Sequence, residues 1–201
     1  MELREVIRRR RMVRQFEQRA IPEEVLRRVL EAARHAPSAG FSQGFDFVVL
    51  TGSDELDWFY RTTDDPDDPE SFPGRNPALA PACIVLPYEN KRAYLERYSQ
   101  PDKIRFGMDS EDRWPVPFWT VDTAMAMLLI LLAAVDDGLG AWYFGITRGE
   151  AEVQRTLGVP PECKLLGVIA LGYPSSEDRP AGSMLSRRRR DFGSMFHFGR
   201  W

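Results

Sequence analysis

The sequence contains few of the residues on which protein-only catalysis usually depends. Its 201 residues include two cysteines and two histidines. Cys83 and Cys163 lie in separate apolar runs, which predicts two buried thiols rather than a disulfide or a C-x-x-C site. His35 and His197 are far apart in the chain, so neither a zinc nor an iron site is expected. No metal is therefore predicted.

Several motifs are also missing. Neither G-x-G-x-x-G nor G-x-x-x-x-G-K-[ST] occurs, which argues against two common nucleotide sites. No catalytic triad is recognisable. The segment Met1 to Arg14 is rich in arginine and has no apolar core of the signal-peptide type, which predicts a cytoplasmic protein. A bound organic cofactor would supply the reactivity that the side chains lack.

The charge is unevenly distributed. Hydrophobic residues make up 43% of the chain and charged residues 28%, as expected for one globular domain over residues 1–201, and the net charge is −3. Two arginine clusters lie near the ends of this acidic chain: Arg8–Arg11 with Arg14, and Arg187–Arg190. Such clusters indicate a bound anion more than a nucleic-acid surface, and arginine grips phosphate through paired hydrogen bonds. Solvated surface arginines are the alternative.

One long apolar stretch dominates the pattern. Every residue from Ala124 to Val135 is apolar, which predicts a helix buried on all sides, in a core or at a subunit interface. Twelve residues rise about 18 Å, too short for a bilayer core of about 30 Å, so no membrane span is expected. Gly138 and Gly140 break this helix, and Ala141–Ile146 has the character of a strand.

The remaining pattern alternates helices and strands. Helices are predicted over Glu2–Arg11 and Pro22–His35, and four apolar strands over Phe45–Thr51, Ala82–Leu86, Ala141–Ile146 and Lys164–Tyr173. This is an α+β or α/β sandwich with a covered sheet. The aromatic segment at about 90–119 is predicted to form a lid over a pocket, with a helical hairpin packed on the core as the alternative. The apolar tail at about 174–201 must dock on its own subunit or on a partner.

Four segments, in order, resemble the nitroreductase-like flavoproteins. Arg10–Phe16 (R-R-M-V-R-Q-F) is similar to the family's R-R-S-x-R-x-F, and Ala36–Gln43 (A-P-S-A-G-F-S-Q) to its A-P-S-x-x-N-x-Q loop. Gly138–Gly145 is similar to its late glycine-containing strand. Arg187–Arg190 followed by Phe192–Trp201 resembles its basic segment and tryptophan-ended tail. Each motif is weak alone, but together they span nearly the whole chain.

The resemblance implies a fold, a cofactor and a site. The fold would be a central, mostly antiparallel sheet flanked by helices, with a long buried central helix at a homodimer interface and a tail that wraps onto the partner. FMN would be the cofactor and NAD(P)H the electron donor. The phosphate of FMN would be held by Arg10, Arg11, Arg187 and Arg189, and the N1/O2 side of the flavin ring by Arg14. Backbone at Phe144 and Gly145 would meet N5 and O4, and the loop Pro37, Ser38, Ala39 would reach the ring from the other subunit.

Some positions depart from the family pattern. Met12 replaces a common serine beside the cofactor and so removes one side-chain contact. Phe41 replaces the usual asparagine, and Gly44-Phe45 replaces a common Pro-Trp. Arg75 is a candidate for a further basic contact with the flavin.

The expected function is reduction of nitroaromatic, quinone or similar flat small molecules by a ping-pong cycle through FMN. One alternative is a flavin-dependent oxidase or dehydrogenase acting in natural-product or peptide modification. Another is a non-catalytic flavin- or deazaflavin-binding protein. Nucleic-acid binding through the terminal arginines is the least favoured reading, and no nucleic-acid or membrane partner is expected.

Overall fold

The computed structural model describes residues 1–64, 79–180 and 185–201. Its helices are α1 Leu3–Arg9, α2 Glu23–Glu31, α3 Ser53–Thr63, α4 Lys91–Tyr98, α5 Phe118–Asp136 and α6 Glu150–Thr156. Its strands are β1 Phe45–Leu50, β2 Cys83–Glu89, β3 Gly140–Phe144, β4 Lys164–Leu165 and β5 Val168–Gly172. Short 3₁₀ turns follow α2, precede β1 and interrupt the segment between α4 and α5.

The strands form one antiparallel sheet in the order β1-β2-β5-β3, and the short β4 pairs with the far end of β2. The predicted antiparallel sheet flanked by helices is therefore confirmed. The predicted strand Lys164–Tyr173 is instead two strands, because Gly167 between them has φ +111°, outside the extended region. Within the described residues, β1 and β3 are the outer strands of the main sheet.

Helices cover both faces of the sheet. In β2, Cys83 and Val85 belong to a core that includes α2 and α5, whereas Ile84 and Leu86 belong to a core that includes α3 and α6. Successive side chains of a strand point to opposite faces, so a strand with two covered faces reads as a continuous apolar run. All seven residues of β2 are buried.

The central helix α5 is longer than the sequence pattern predicts. Its 19 residues rise about 28 Å. By length and composition it is the one described helix that could cross a membrane, a test that core helices of soluble proteins also pass. Its first turns contain polar residues that break the apolar pattern but are bonded here: Thr123 Oγ1 donates to the carbonyl oxygen of Trp119 at 2.6 Å.

The burial of α5 is one-sided. It packs against α2, β2 and β3, yet Val121 and Leu128, seven residues apart on one face, are 41% and 48% exposed. The expectation of burial on all sides is therefore wrong within one chain. The neighbouring helix α1, which contacts α5, also exposes Leu3 and Ile7. We call these four exposed apolar residues of the two contacting helices the α1/α5 face.

The segment at 90–119 has a small core of its own. Tyr94, Tyr98, Trp114 and Trp119 are buried and meet mostly edge to face, with ring centroids 4.7–6.2 Å apart. Its role as a lid stays a prediction. In the predicted tail, residues 185–201 are all exposed, including Phe198 and Trp201.

Candidate functional site

The segment Arg10–Arg14 runs beside the outer strand β3. Met12 forms a parallel bridge with Ala141, and the Val13 amide donates to the Ala141 carbonyl oxygen at 2.9 Å. Gly140 permits this approach, since a Cβ there would lie 2.8 Å from the Val13 side chain. We call Arg10–Arg14 with Trp142–Gly145 the β3-edge group.

Arg14 lies inside this group with an unsatisfied donor. Its guanidinium carbon is 5.5 Å from the centroid of the Trp142 ring. Its Nη1 is buried and has no hydrogen-bond partner. Buried polar atoms are nearly always paired, so an orphaned cationic donor indicates a place for an anionic or acceptor-rich ligand.

The end of β3 leaves backbone accessible. Around Gly145 there is open space where a Cβ would be, with no atom within 4 Å. Trp142 and Phe144 pack side by side, with ring centroids 4.3 Å apart, against the core under α3 and α6. Met12 contacts this strand through sulfur, because the Tyr143 amide donates to Met12 Sδ at 3.4 Å.

A buried carboxylate that the sequence pattern does not reveal fixes the arginine segment. Asp178 Oδ1 accepts hydrogen bonds from the amides of Arg14 at 2.9 Å and Gln15 at 3.0 Å, and Oδ2 pairs with Arg11 Nη1. Burial raises the pKa of Asp178, but the Arg11 guanidinium and the two amides lower it more, so its pKa lies below the usual value. Asp178 is therefore ionised, and Arg11 is engaged with it.

The hydrogen bonds described above do not bring together the other arginines that were predicted to bind phosphate. Arg10 follows the last turn of α1, where its amide donates to the Val6 carbonyl oxygen. Arg187 and Arg189 are exposed in the tail. Arg75 lies outside the described residues.

The loop Pro37–Gly44, here called the β1-edge loop, is anchored from several sides. The Ala39 amide and the Tyr94 hydroxyl both donate to Asp122 Oδ2 of α5, each at 2.8 Å. The Gln43 amide donates to Ser38 Oγ at 3.0 Å. Burial and the neighbouring Asp122 raise the pKa of Tyr94, so its hydroxyl stays a donor.

The same loop contains the sequence G-x-S-x-G at Gly40–Gly44, which is the pattern of a nucleophile elbow. The structure does not support that role. An elbow joins a strand to a helix, whereas this loop follows a 3₁₀ turn and leads into β1. The Ser42 hydroxyl donates to the Ala39 carbonyl oxygen at 2.6 Å, so it serves the turn.

One chain does not bring all the predicted residues together. The β1-edge loop leads into β1 and the β3-edge group lies at β3, so the two are at opposite edges of the sheet. Three strand spacings of about 4.8 Å separate the outer strands by about 14 Å. Arg14 and Met12 thus lie with Phe144 and Gly145, and the loop Pro37–Ala39 lies apart from them.

Metal chemistry finds little support in the described part of the chain. Residues 1–64, 79–180 and 185–201 contain no group of three or more histidine, cysteine or acidic residues that could hold a metal ion. Both cysteines are buried and free. Burial raises the pKa of Cys83 to about 12, so its thiol is not a nucleophile.

Comparison with known proteins gives a consistent result. The sequence profile of the Nitroreductase family matches residues 7–173. A Methanothermobacter thermautotrophicus protein named NADH dehydrogenase/NAD(P)H nitroreductase is 29% identical over 180 residues, which cover 87% of this chain and 78% of that protein.

Solved structures share the fold. Nitroreductase CinD from Lactococcus lactis, in complex with nicotinic acid, aligns with a TM-score of 0.76 at 19% identity and covers 99% of this chain and 100% of its own. A protein described as a nitroreductase in complex with FMN, from Desulfovibrio desulfuricans, aligns with a TM-score of 0.68 at 21% identity and covers 100% and 98%.

Proposed function

The chain belongs to the nitroreductase family and is therefore a flavin-dependent oxidoreductase; from this premise we propose that it binds FMN and uses NAD(P)H to reduce nitroaromatics, quinones or similar flat small molecules. Bound FMN would supply the redox chemistry, taking electrons from the nicotinamide and passing them to the second substrate in turn. The names of the curated relatives support the nicotinamide donor, and one structural relative is described with FMN.

The orphaned donor of Arg14 carries this proposal. The N1/O2 side of a flavin offers acceptor atoms, and it gains negative charge when the ring is reduced. A half-buried guanidinium whose buried Nη1 has no partner fits that edge in both charge and hydrogen-bonding capacity. Trp142, under the same guanidinium, holds the Arg14 side chain in place.

The phosphate of FMN would lie further along the same segment. We assign it to Arg10 with Arg187 and Arg189 from the tail. Arg11 is already paired with Asp178, so its main role would be to brace the segment. Met12 offers a thioether, which donates no hydrogen bond, so its contribution would be apolar contact.

The site would be completed by a second copy of the chain. Within one chain the β1-edge loop and the β3-edge group lie at opposite edges of the sheet. The α1/α5 face is apolar and exposed, as expected of a surface that a twofold dimer covers. A homodimer across this face would carry the Pro37–Ala39 loop of one copy to the flavin ring of the other.

The visible spectrum of the purified protein tests this function. We expect FMN absorbance, its loss when NADPH is added without oxygen, and its return when menadione or 4-nitrobenzoate is added. A colourless protein that cannot be reconstituted with FMN would contradict the proposal. An FMN spectrum that neither nicotinamide bleaches, with electrons passing from an organic substrate to oxygen instead, would point to the oxidase alternative.

A further inference from the structure

Phe41, in the β1-edge loop, adopts a backbone conformation that its side chain disfavours. Its φ is +57°, between Gly40 at +61° and Gln43 at +49°. In the described part of the chain, Phe41 and Gln43 are the only residues other than glycine with positive φ. The left-handed region crowds the Cβ of an L-residue, and a bulky residue there is an outlier.

The surrounding contacts hold this conformation in place. Arg97 Nε donates to the Gly40 carbonyl oxygen at 3.0 Å. Gly40 packs so closely on Tyr98 that a Cβ would lie 2.7 Å from its ring, and a Cβ at Gly44 would lie 2.5 Å from Tyr94. With Asp122 binding the Ala39 amide, the loop is determined from both ends. Strain that persists in an over-determined loop is a reason to look for a function.

The Phe41 side chain gains little burial within its own chain. It is 75% exposed, so burial within the chain does not offset the strain. In the family pattern that the loop resembles, this position is an asparagine, a residue that tolerates the left-handed region. The chain thus has a costly exposed aromatic ring where a tolerant polar residue would serve the backbone better.

We infer that Phe41 determines substrate specificity: its ring stacks on a flat aromatic electron acceptor at the site that the second copy completes. The inference rests on the proposed function, which brings the Pro37–Ala39 part of the same loop to the flavin. A rigid, exposed ring two residues beyond Ala39 is suited to stack on a planar molecule at little cost in ordering. The substrate class is therefore aromatic and planar, such as a quinone or nitroarene.

The test compares Phe41→Asn with Phe41→Tyr and Gln43→Asn in the FMN-loaded protein. Two acceptors are used: menadione, which is flat, and ferricyanide, which is not. For Phe41→Asn, the ratio of the KM for menadione to the KM for ferricyanide should rise about three- to tenfold, as expected for one lost aromatic stack. The Kd of 4-nitrobenzoate for the oxidised protein, read from the flavin absorbance, should rise by a similar factor.

Thermal unfolding provides a readout that does not depend on activity. Asparagine tolerates the left-handed conformation, so Phe41→Asn should raise Tm by about 2–4 °C. Gln43→Asn is the matched control, because it relieves the same kind of strain in the same loop without removing a ring. It should raise Tm while leaving the menadione KM and the 4-nitrobenzoate Kd unchanged. Phe41→Tyr keeps a ring and should stay within twofold of wild type in both constants.

The outcomes separate the inference from the proposed function. If Phe41→Asn raises Tm but changes neither the KM ratio nor the 4-nitrobenzoate Kd, Phe41 does not contact the acceptor. If it lowers Tm and weakens the dimer in sedimentation while both constants hold, the ring is a subunit contact and the inference is wrong. If the wild-type protein binds no FMN, the proposed function fails first, and it does so without any Phe41 variant.

Discussion

The β3-edge group and the β1-edge loop are each held by one buried carboxylate, yet the two regions are left in opposite states. Asp178 pairs with a guanidinium and two amides, whereas Asp122 accepts from one amide and one phenol and has no ion pair among the described residues. The first region retains an unsatisfied donor in Arg14. The second is well bonded, but Phe41 in it has an exposed ring and a backbone in the disfavoured left-handed region.

This difference indicates complementary roles. A buried guanidinium nitrogen without a partner favours a ligand that supplies an acceptor. An exposed ring on a well-anchored loop is available to contact a second surface. The two regions lie at opposite edges of one sheet, so in the proposed homodimer the loop of one copy and the β3-edge group of the other would meet across one ligand.

The largest expected effect is on the β3-edge side. Asp178→Ala leaves two amides and the Arg11 guanidinium without their hydrogen-bond acceptor. We therefore expect a loss of about 3 kcal/mol in the free energy of unfolding, measured with urea. Glu177→Ala, at the exposed neighbouring residue, is the control and should change stability by less than about 0.5 kcal/mol. Equal effects at the two positions would show that Asp178 does not fix the segment.

The second-largest effect is expected for Arg14→Met, which should weaken FMN binding and leave the stability of the fold unchanged. Loss of one charged hydrogen bond costs about 1.5–3 kcal/mol, so the Kd for FMN should rise about 10- to 100-fold. Fluorescence of released FMN measures this affinity. Arg34→Met, which removes an exposed arginine paired with Glu31 on the surface, should leave the Kd unchanged. An unchanged Kd in Arg14→Met would remove this residue from the flavin site.

The corresponding change on the β1-edge side should be smaller. Asp122→Asn keeps an oxygen for the Ala39 amide but weakens the acceptor for the Tyr94 hydroxyl, so we expect a loss of about 1–2 kcal/mol in the free energy of unfolding. Hydrogen exchange at the Ala39 amide should quicken. Combining Asp122→Asn with Tyr94→Phe should cost less than the sum of the single changes, because both remove one shared contact. Strict additivity would contradict the shared contact.

The pH dependence of stability should show the smallest effect and should again separate the two sides. The pKa of Asp178 is lower in the folded protein than in the unfolded chain. Its ionised form therefore contributes stability above the unfolded pKa, near about 3.9, and this contribution is lost as pH falls through the folded pKa. The difference in the free energy of unfolding between wild type and Asp178→Asn should be largest near pH 6 and should decrease below about pH 4, as measured by urea unfolding at each pH. A gap independent of pH would contradict an ionised Asp178.

The sequence predicts correctly those strands and motifs that depend only on the local pattern of residues. The apolar runs of β1, β2 and β3 mark their strands, and the order of weak motifs identifies the family. The sequence predicts the helix α5 but underestimates its length. Thr120, Asp122 and Thr123 interrupt the apolar pattern, and their hydrogen-bond partners become available only in the folded chain.

Long-range contacts escape prediction. Asp178 bonds to Arg11 across 167 positions and Asp122 to Ala39 across 83, and no local pattern records such pairs. The positive φ of Phe41 is also a product of its surroundings, because the residue itself disfavours it. These unpredicted contacts hold the segments of the proposed site in place, whereas Arg14 is a site residue that the sequence does predict.

The most direct test of the composite site is complementation between two inactive variants. Arg14→Met damages the β3-edge group, and Ala39→Arg damages the β1-edge loop; each homodimer should fold, by circular dichroism, and retain little FMN. Mixed dimers, isolated through two different affinity tags, would carry both lesions in one site and none in the other. We expect one FMN per mixed dimer, with reduction by NADPH restored. Mixed dimers that bind no FMN would show that both regions act within one chain and would contradict a site shared between two copies.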